Sequence, residues 1–180
     1  GPVDFALFVG FFPQILAGPI GRAPQLVPQI REQRRIDGVA LRVGGYLVLW
    51  GYFKKVVLAD NLARIVDPVF AKGANPDGLE VVIATFGFTF LAYADFSGYT
   101  DIARGTARLL GFDLLRNFDT PFLSRDMGEL WRRWHMSLSF WLRDYLFLSV
   151  GGGRVGPARL TFNLWLTLFV AGLWHGSTGS

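Results

Sequence analysis

The sequence has no cysteine, and that single absence removes disulfides, thiolate nucleophiles and cysteine-ligated zinc together. Charge is scarce as well: 18% of residues are Asp, Glu, Lys or Arg, against about 25% in an ordinary soluble domain. Lysine is nearly missing, since only Lys54, Lys55 and Lys72 occur among 18 basic residues. Histidine is limited to His135 and His175. Two histidines with no acid beside them make a poor metal set, so no metal site is expected. There is no G-K-[S/T] after the glycines at 151–153, which excludes a P-loop. Ser97 and Ser139 lack the G-x-S-x-G setting of a serine nucleophile.

What is abundant is apolar. Hydrophobic residues make up 51% of the chain and aromatic ones 16%, with a mean hydropathy of +0.33. The excess of arginine lies between apolar runs, a pattern that fits loops facing anionic headgroups and not a nucleic-acid footprint. The chain begins in an apolar run without an initiator methionine and stops just after another, so a piece of a longer membrane protein is expected.

Along the chain, residues 3–17 are apolar but too short for a full span. Pro19, Pro24 and Pro28 then predict an extended, turning segment without regular helix. Residues 43–59 form a second apolar run in which Lys54 and Lys55 are expected to snorkel or to lie near an interface. Residues 60–78 read as a polar connection with turn signals, and 79–94 as the clearest span. Asp95 is either an acid serving a site or a helix-end cap. Basic loops at 22–42, 104–133 and 154–159 all fit one side of the membrane. That places residues 67–77 outside, makes 137–150 a re-entrant segment, and sends the last run inward with His175.

The stretch at 126–145 organises the rest. Asp126 and Glu129 have capping-box spacing, and Trp131, Trp134, Leu138, Trp141, Leu142 and Tyr145 recur at helical intervals. One helix is expected, with His135 beside its aromatic face, Asp144 as a local partner of Arg143, and a break at the glycines. Each histidine has two readings. Set in or near lipid it is a functional group by default, and equally it can be a structural residue bonded to a carbonyl.

The blocks P-Q-I-L-A-G-P-I-G-R at 13–22, D-F-S-G-Y-T-D-I-A at 95–103 and N-F-D-T-P-F at 117–122 occur in order. They are followed by W-R-R-W-H-M-S-L-S-F-W-L-R-D-Y at 131–145 and L-W-H-G at 173–176. Together they resemble the membrane-bound O-acyltransferase family over nearly the whole chain. The glycine-arginine run at 151–159 resembles its alginate O-acetyltransferase branch, and the block around His135 is close to the D-alanyl transfer branch of teichoic acid modification.

The resemblance implies an all-α, polytopic transmembrane fold with re-entrant or interfacial helices, of which residues 1–180 are a partial domain. It implies His175 as the catalytic histidine and His135 as a second one, with Trp131, Arg132, Trp134, Ser139 and Trp174 as the substrate-binding set. It further implies no bound cofactor. The acyl donor is a co-substrate, acetyl-CoA or an acyl carrier thioester. The other expected partners are an extracytoplasmic polysaccharide or a secreted acyltransferase, and membrane lipids; nucleic acid is not among them. The site is the bacterial cytoplasmic membrane, crossed several times. The rival reading from a different class is a non-catalytic transport or scaffold component.

Overall fold

The computed structural model describes residues 1–15, 17–34, 36–71 and 74–176, and among them there are helices and no strands. Contacts divide the chain into two units, residues 1–117 and 118–180.

The first unit is built on one long antiparallel pair. Helix α4 (Gly38–Tyr52) runs through a π-helical stretch, Phe53–Ala59, directly into α5 (Asp60–Phe70). Opposite lies α6, Gly78–Leu109, 32 residues without a break. Its start is a full capping box. The Asp77 carboxylate accepts from Glu80 N–H at 2.8 Å, and Glu80 Oε2 accepts from Asp77 N–H at 2.9 Å.

The pair closes on glycine. A Cβ on Gly51 would sit 2.6 Å from the Gly98 carbonyl, and one on Gly105 would sit 2.7 Å from that of Gly44. Seven residues separate Gly44 from Gly51 and Gly98 from Gly105, so both glycines of each helix meet the partner backbone. Small residues of this kind let apolar helices touch where the hydrophobic effect gives no drive. Helix α6 is the one helix among the described residues that is long and apolar enough to cross a membrane, and only 11% of its apolar window is buried. Phe86, Phe88 and Phe90 on that window point outward, as side chains meant for lipid do.

Three shorter helices, α1 (Pro2–Val9), α2 (Phe12–Ile15) and α3 (Ala23–Arg31), belong to the same unit. Leu26 of α3 packs with Ala107 and Phe112 as a small core. Gln29 fixes the register there: its amide donates to Asp113 O at 3.1 Å and accepts from Asp113 N–H at 2.8 Å.

Several expectations fail in this unit. The proline segment is helical over 23–31 because Pro24 sits in the first turn, where its missing N–H would have had no partner. Pro28 costs α3 one internal bond and no more. Residues 60–70 are helix α5 and not connection, even with Pro68 inside it. Lys54 does not snorkel. It is 6% exposed, and its Nζ lies 2.7 Å from Asp101 Oδ2 and 3.1 Å from Ser97 Oγ on α6. Lys55 reaches Asp95 at 2.5 Å and Asp60 at 3.0 Å, so Asp95 is a mid-helix ion-pair partner and not a cap.

The second unit comprises a single 3-10 turn at Pro121–Leu123, α7 (Met127–Arg133), α8 (Met136–Leu142), a π-helical stretch at Arg143–Phe147, and α9 (Pro157–His175). The glycine break falls where the sequence puts it, with Gly151 at φ +111° and Gly152 at φ +59°. Asn163, fully buried on α9, donates to Gly152 O at 3.1 Å and ties that turn to the last helix.

Candidate active site

The expected single helix over 126–145 is two helices with a corner between them. Asp126 caps α7 as anticipated, its carboxylate accepting from Glu129 N–H at 2.7 Å. Glu129 reaches back one residue further than a standard box and accepts from Arg125 N–H at 2.8 Å. That bond, with the Arg133 guanidinium at 2.6 Å, holds the Glu129 carboxyl below its ordinary value.

At Trp134 the chain turns extended, with φ −105° and ψ 130°. His135 then adopts the left-handed conformation at φ +41° before α8 begins. A non-glycine residue there is uncommon and persists only where its surroundings enforce it. The enforcement is visible. Arg133 O accepts from Asp119 N–H at 2.9 Å, while Arg133 Nη1 donates to Thr120 Oγ1 at 3.1 Å. Thr120, at φ +44°, is the other left-handed non-glycine residue of the described chain. Ser139 Oγ donates back to Trp134 O at 3.2 Å and closes the corner from the α8 side.

His135, at the corner, is buried at 5% exposed. Burial, and secondarily the neighbouring His175, pushes its pKa down to about 4, so the ring is neutral at physiological pH. His175 occupies the last turn of α9, where its Nδ1 lies 2.7 Å from Ala171 O. A carbonyl can only accept, so the proton is on Nδ1 and Nε2 is left as a base. The Trp174 ring stands 5.8 Å from that of His135 and 4.8 Å from that of His175, centre to centre.

Both histidines line a cavity of about 660 Å³, together with Trp131, Trp134 and Ser139. Trp174 touches both imidazoles without lining the cavity. Arg132 is exposed and is not among the lining residues. Arg143 lines the cavity instead, its guanidinium bonded to Asp144 at 2.7 Å as expected and set 5.1 Å over the Phe140 ring. Trp141 and Tyr145, expected on the same aromatic face, meet at 5.4 Å between ring centres with planes tilted by 36°, outside the lining.

The wall missed by sequence reasoning is α9. Leu164, Thr167, Leu168, Ala171 and Gly172 recur at the spacing of one helix face that ends at His175. That stripe is legible in the sequence once His175 is taken as its last member.

The profile of the MBOAT, membrane-bound O-acyltransferase family, matches residues 1–178. The chain belongs to the membrane-bound O-acyltransferase family. Among relatives of this membrane family, the chain is 42% identical over 176 residues to the probable alginate O-acetylase AlgI of Pseudomonas aeruginosa, covering 97% of this chain and 33% of that protein. It is 36% identical over 177 residues to the peptidoglycan O-acetyltransferase of Helicobacter pylori, with 97% and 34% covered. To the teichoic acid D-alanyltransferase of Streptococcus thermophilus it is 33% identical over 194 residues, with 97% and 45% covered. The chain thus spans about a third of the length of the first of these relatives.

Proposed function

We propose that the whole protein transfers an acyl group, acetyl by preference, from a thioester to hydroxyls of an exported cell-surface polysaccharide such as alginate. The donor is acetyl-CoA or an acyl carrier thioester. The protein works in the bacterial cytoplasmic membrane as a multi-pass enzyme, alone or with a secreted acyltransferase that completes the transfer. The preference for acetyl and for alginate rests on the Pseudomonas aeruginosa relative.

The observation that carries the reading is the tautomer of His175. With Nδ1–H held by Ala171 O, Nε2 is the basic nitrogen on a residue of the cavity wall. A hydroxyl is a poor nucleophile near pH 7, and a neutral imidazole takes its proton as it attacks. The new C–O bond forms at the thioester carbonyl, the C–S bond breaks, and the departing thiolate receives the proton from the imidazolium. His135, buried and neutral, positions the reacting groups without becoming charged. The indole rings of Trp131 and Trp134 exclude water from the passage, and Ser139 Oγ, its proton given to Trp134 O, is left to accept from a substrate hydroxyl.

In the full-length protein, His175→Ala is expected to abolish polymer acylation while membrane insertion is unchanged, and His135→Ala to be milder. Near-normal acylation by the His175 variant would remove the general base and favour a scaffold. A second reading, D-alanyl transfer from a carrier protein, is favoured by the Streptococcus relative. Supplying each donor to the purified full-length enzyme separates the two.

A further inference from the structure

A second polar site lies in the first unit. Lys54 Nζ is 2.7 Å from Asp101 Oδ2, and Arg104 Nη1 is 3.3 Å from Oδ1 of the same carboxylate. One carboxylate therefore serves two cations, Lys54 with 8% and Arg104 with 22% of its side chain exposed. Arg104 Nε is buried and has no acceptor. One turn on, Arg108 pairs with Asp113 at 2.5 Å, a carboxylate whose side chain is 76% exposed. The group of Lys54, Asp101, Arg104, Arg108 and Asp113 carries one positive charge too many. Buried charge is costly without a partner.

The two arginines share a cavity of about 160 Å³ with the Asp113 carboxylate that pairs with Arg108, and Val43 and Leu47 of α4 with Leu114 complete its lining. An arginine pair on one side and aliphatic side chains on the other suit a phosphate ester attached to an apolar body. Depth selects among such molecules. Arg104 lies 27 residues beyond the Asp77 cap, roughly 40 Å along α6, whereas the hydrocarbon core of a bilayer is roughly 30 Å thick. The cavity therefore opens where lipid phosphates lie, beside a helix whose outer side chains Leu41, Tyr46 and Leu49 are exposed.

We propose that Arg104 and Arg108 bind the phosphate of an anionic phospholipid, with Val43, Leu47 and Leu114 against its glycerol and first methylenes. The lipid neutralises the surplus charge and joins α4 to the C-terminal turns of α6. It is a structural ligand, independent of the acyl-transfer reading.

The test uses the full-length protein in detergent micelles doped with phosphatidylglycerol or phosphatidylcholine, with retained lipid read by native mass spectrometry. Phosphatidylglycerol is expected to be retained over phosphatidylcholine. Removal of one guanidinium by Arg104→Gln or Arg108→Gln weakens that retention about tenfold, the scale of one charge-assisted hydrogen bond. Arg64→Gln, an exposed arginine on α5, leaves it unchanged. Should Arg104→Gln fail to fold, Arg108→Gln carries the comparison, since Arg108 is tied only to an exposed carboxylate. Equal retention of the two lipids, or unchanged retention in Arg108→Gln, overturns the site. Displacement of phosphatidylglycerol by inorganic phosphate alone would assign the cavity to a soluble phosphate and overturn the lipid.

Discussion

His135 and Asp101 show how much a single side chain decides here. His135 is held neutral, its pKa lowered from 6.5 to about 4 by burial. Between those two values the unfolded chain binds the proton that the folded chain refuses, so stability falls as pH drops from 6.5 toward 4 and levels off below. Thermal unfolding of the full-length protein across that window should show the slope, and His135→Gln should flatten it. At Asp101 the arithmetic of charge gives a second expectation. Asp101→Asn strands Lys54 and Arg104 together and is expected to cost about 3 kcal/mol or more. Lys54→Met leaves the Asp101–Arg104 pair intact and should cost less. Equal melting temperatures for the two variants would mean that the carboxylate is not shared as described.

Among elements, the α4–α6 pair and the corner at 134–135 behave in opposite ways toward substitution. Gly98→Ala places a Cβ 2.8 Å from Gly51 O and 3.0 Å from Lys55 N, and only separation of the helices relieves it. Overpacking of this kind costs about 1–3 kcal/mol. Gly45, on the partner helix α4 but with nothing within 4 Å of an added Cβ, is the control. Gly45→Ala is expected to stabilise by about 0.5–1 kcal/mol through helix propensity alone. Detergent melting curves of the two variants should therefore move apart.

The corner, by contrast, was hidden from sequence reasoning for a physical reason. No proline or glycine marks Trp134 or His135, and every local signal over 126–145 favours continuing the helix. The break is imposed by residues 119 and 120, some fourteen positions upstream, through Arg133. The Lys54–Asp101 pair, 47 residues apart, was out of reach in the same way. The Asp126 cap, the glycine break and the apolar run of α6 were legible because each is written within a few residues. Of the cavity lining, the two histidines, Trp131, Trp134 and Ser139 were named from the sequence, whereas the α9 stripe was read there only as an apolar run.

For the molecule as a whole, the distribution of arginine makes membrane sidedness a measurable matter. The chain has no cysteine, so single introduced cysteines report without background. A cysteine at Asn75 is expected to label from outside intact cells, and one at Arg125 only after the cytoplasm is opened. The expected outside segment at 67–77 includes residues 72 and 73, which lie outside the described residues; Asn75 does not. Labelling at Asn75 only after opening would reverse the orientation. Residues 1–180 alone, a third of the length of an AlgI relative, are expected to turn over no donor. Polar groups near lipid need partners, which further helices of a longer chain can supply. Turnover equal to that of the full-length protein would place the complete site within this piece.

Helix α6 has one more consequence. A helix of 32 residues is roughly 48 Å long, and no kink lets it shorten. As the one candidate span among the described residues, it is a ruler for any bilayer it crosses. Where the membrane thins, the ruler leans; where it thickens, the ruler stands upright. Because α4 is clamped to it at two glycine contacts, both helices must lean together. Membrane thickness is thus converted into the angle of a rigid pair, and every group fixed to that pair turns with it.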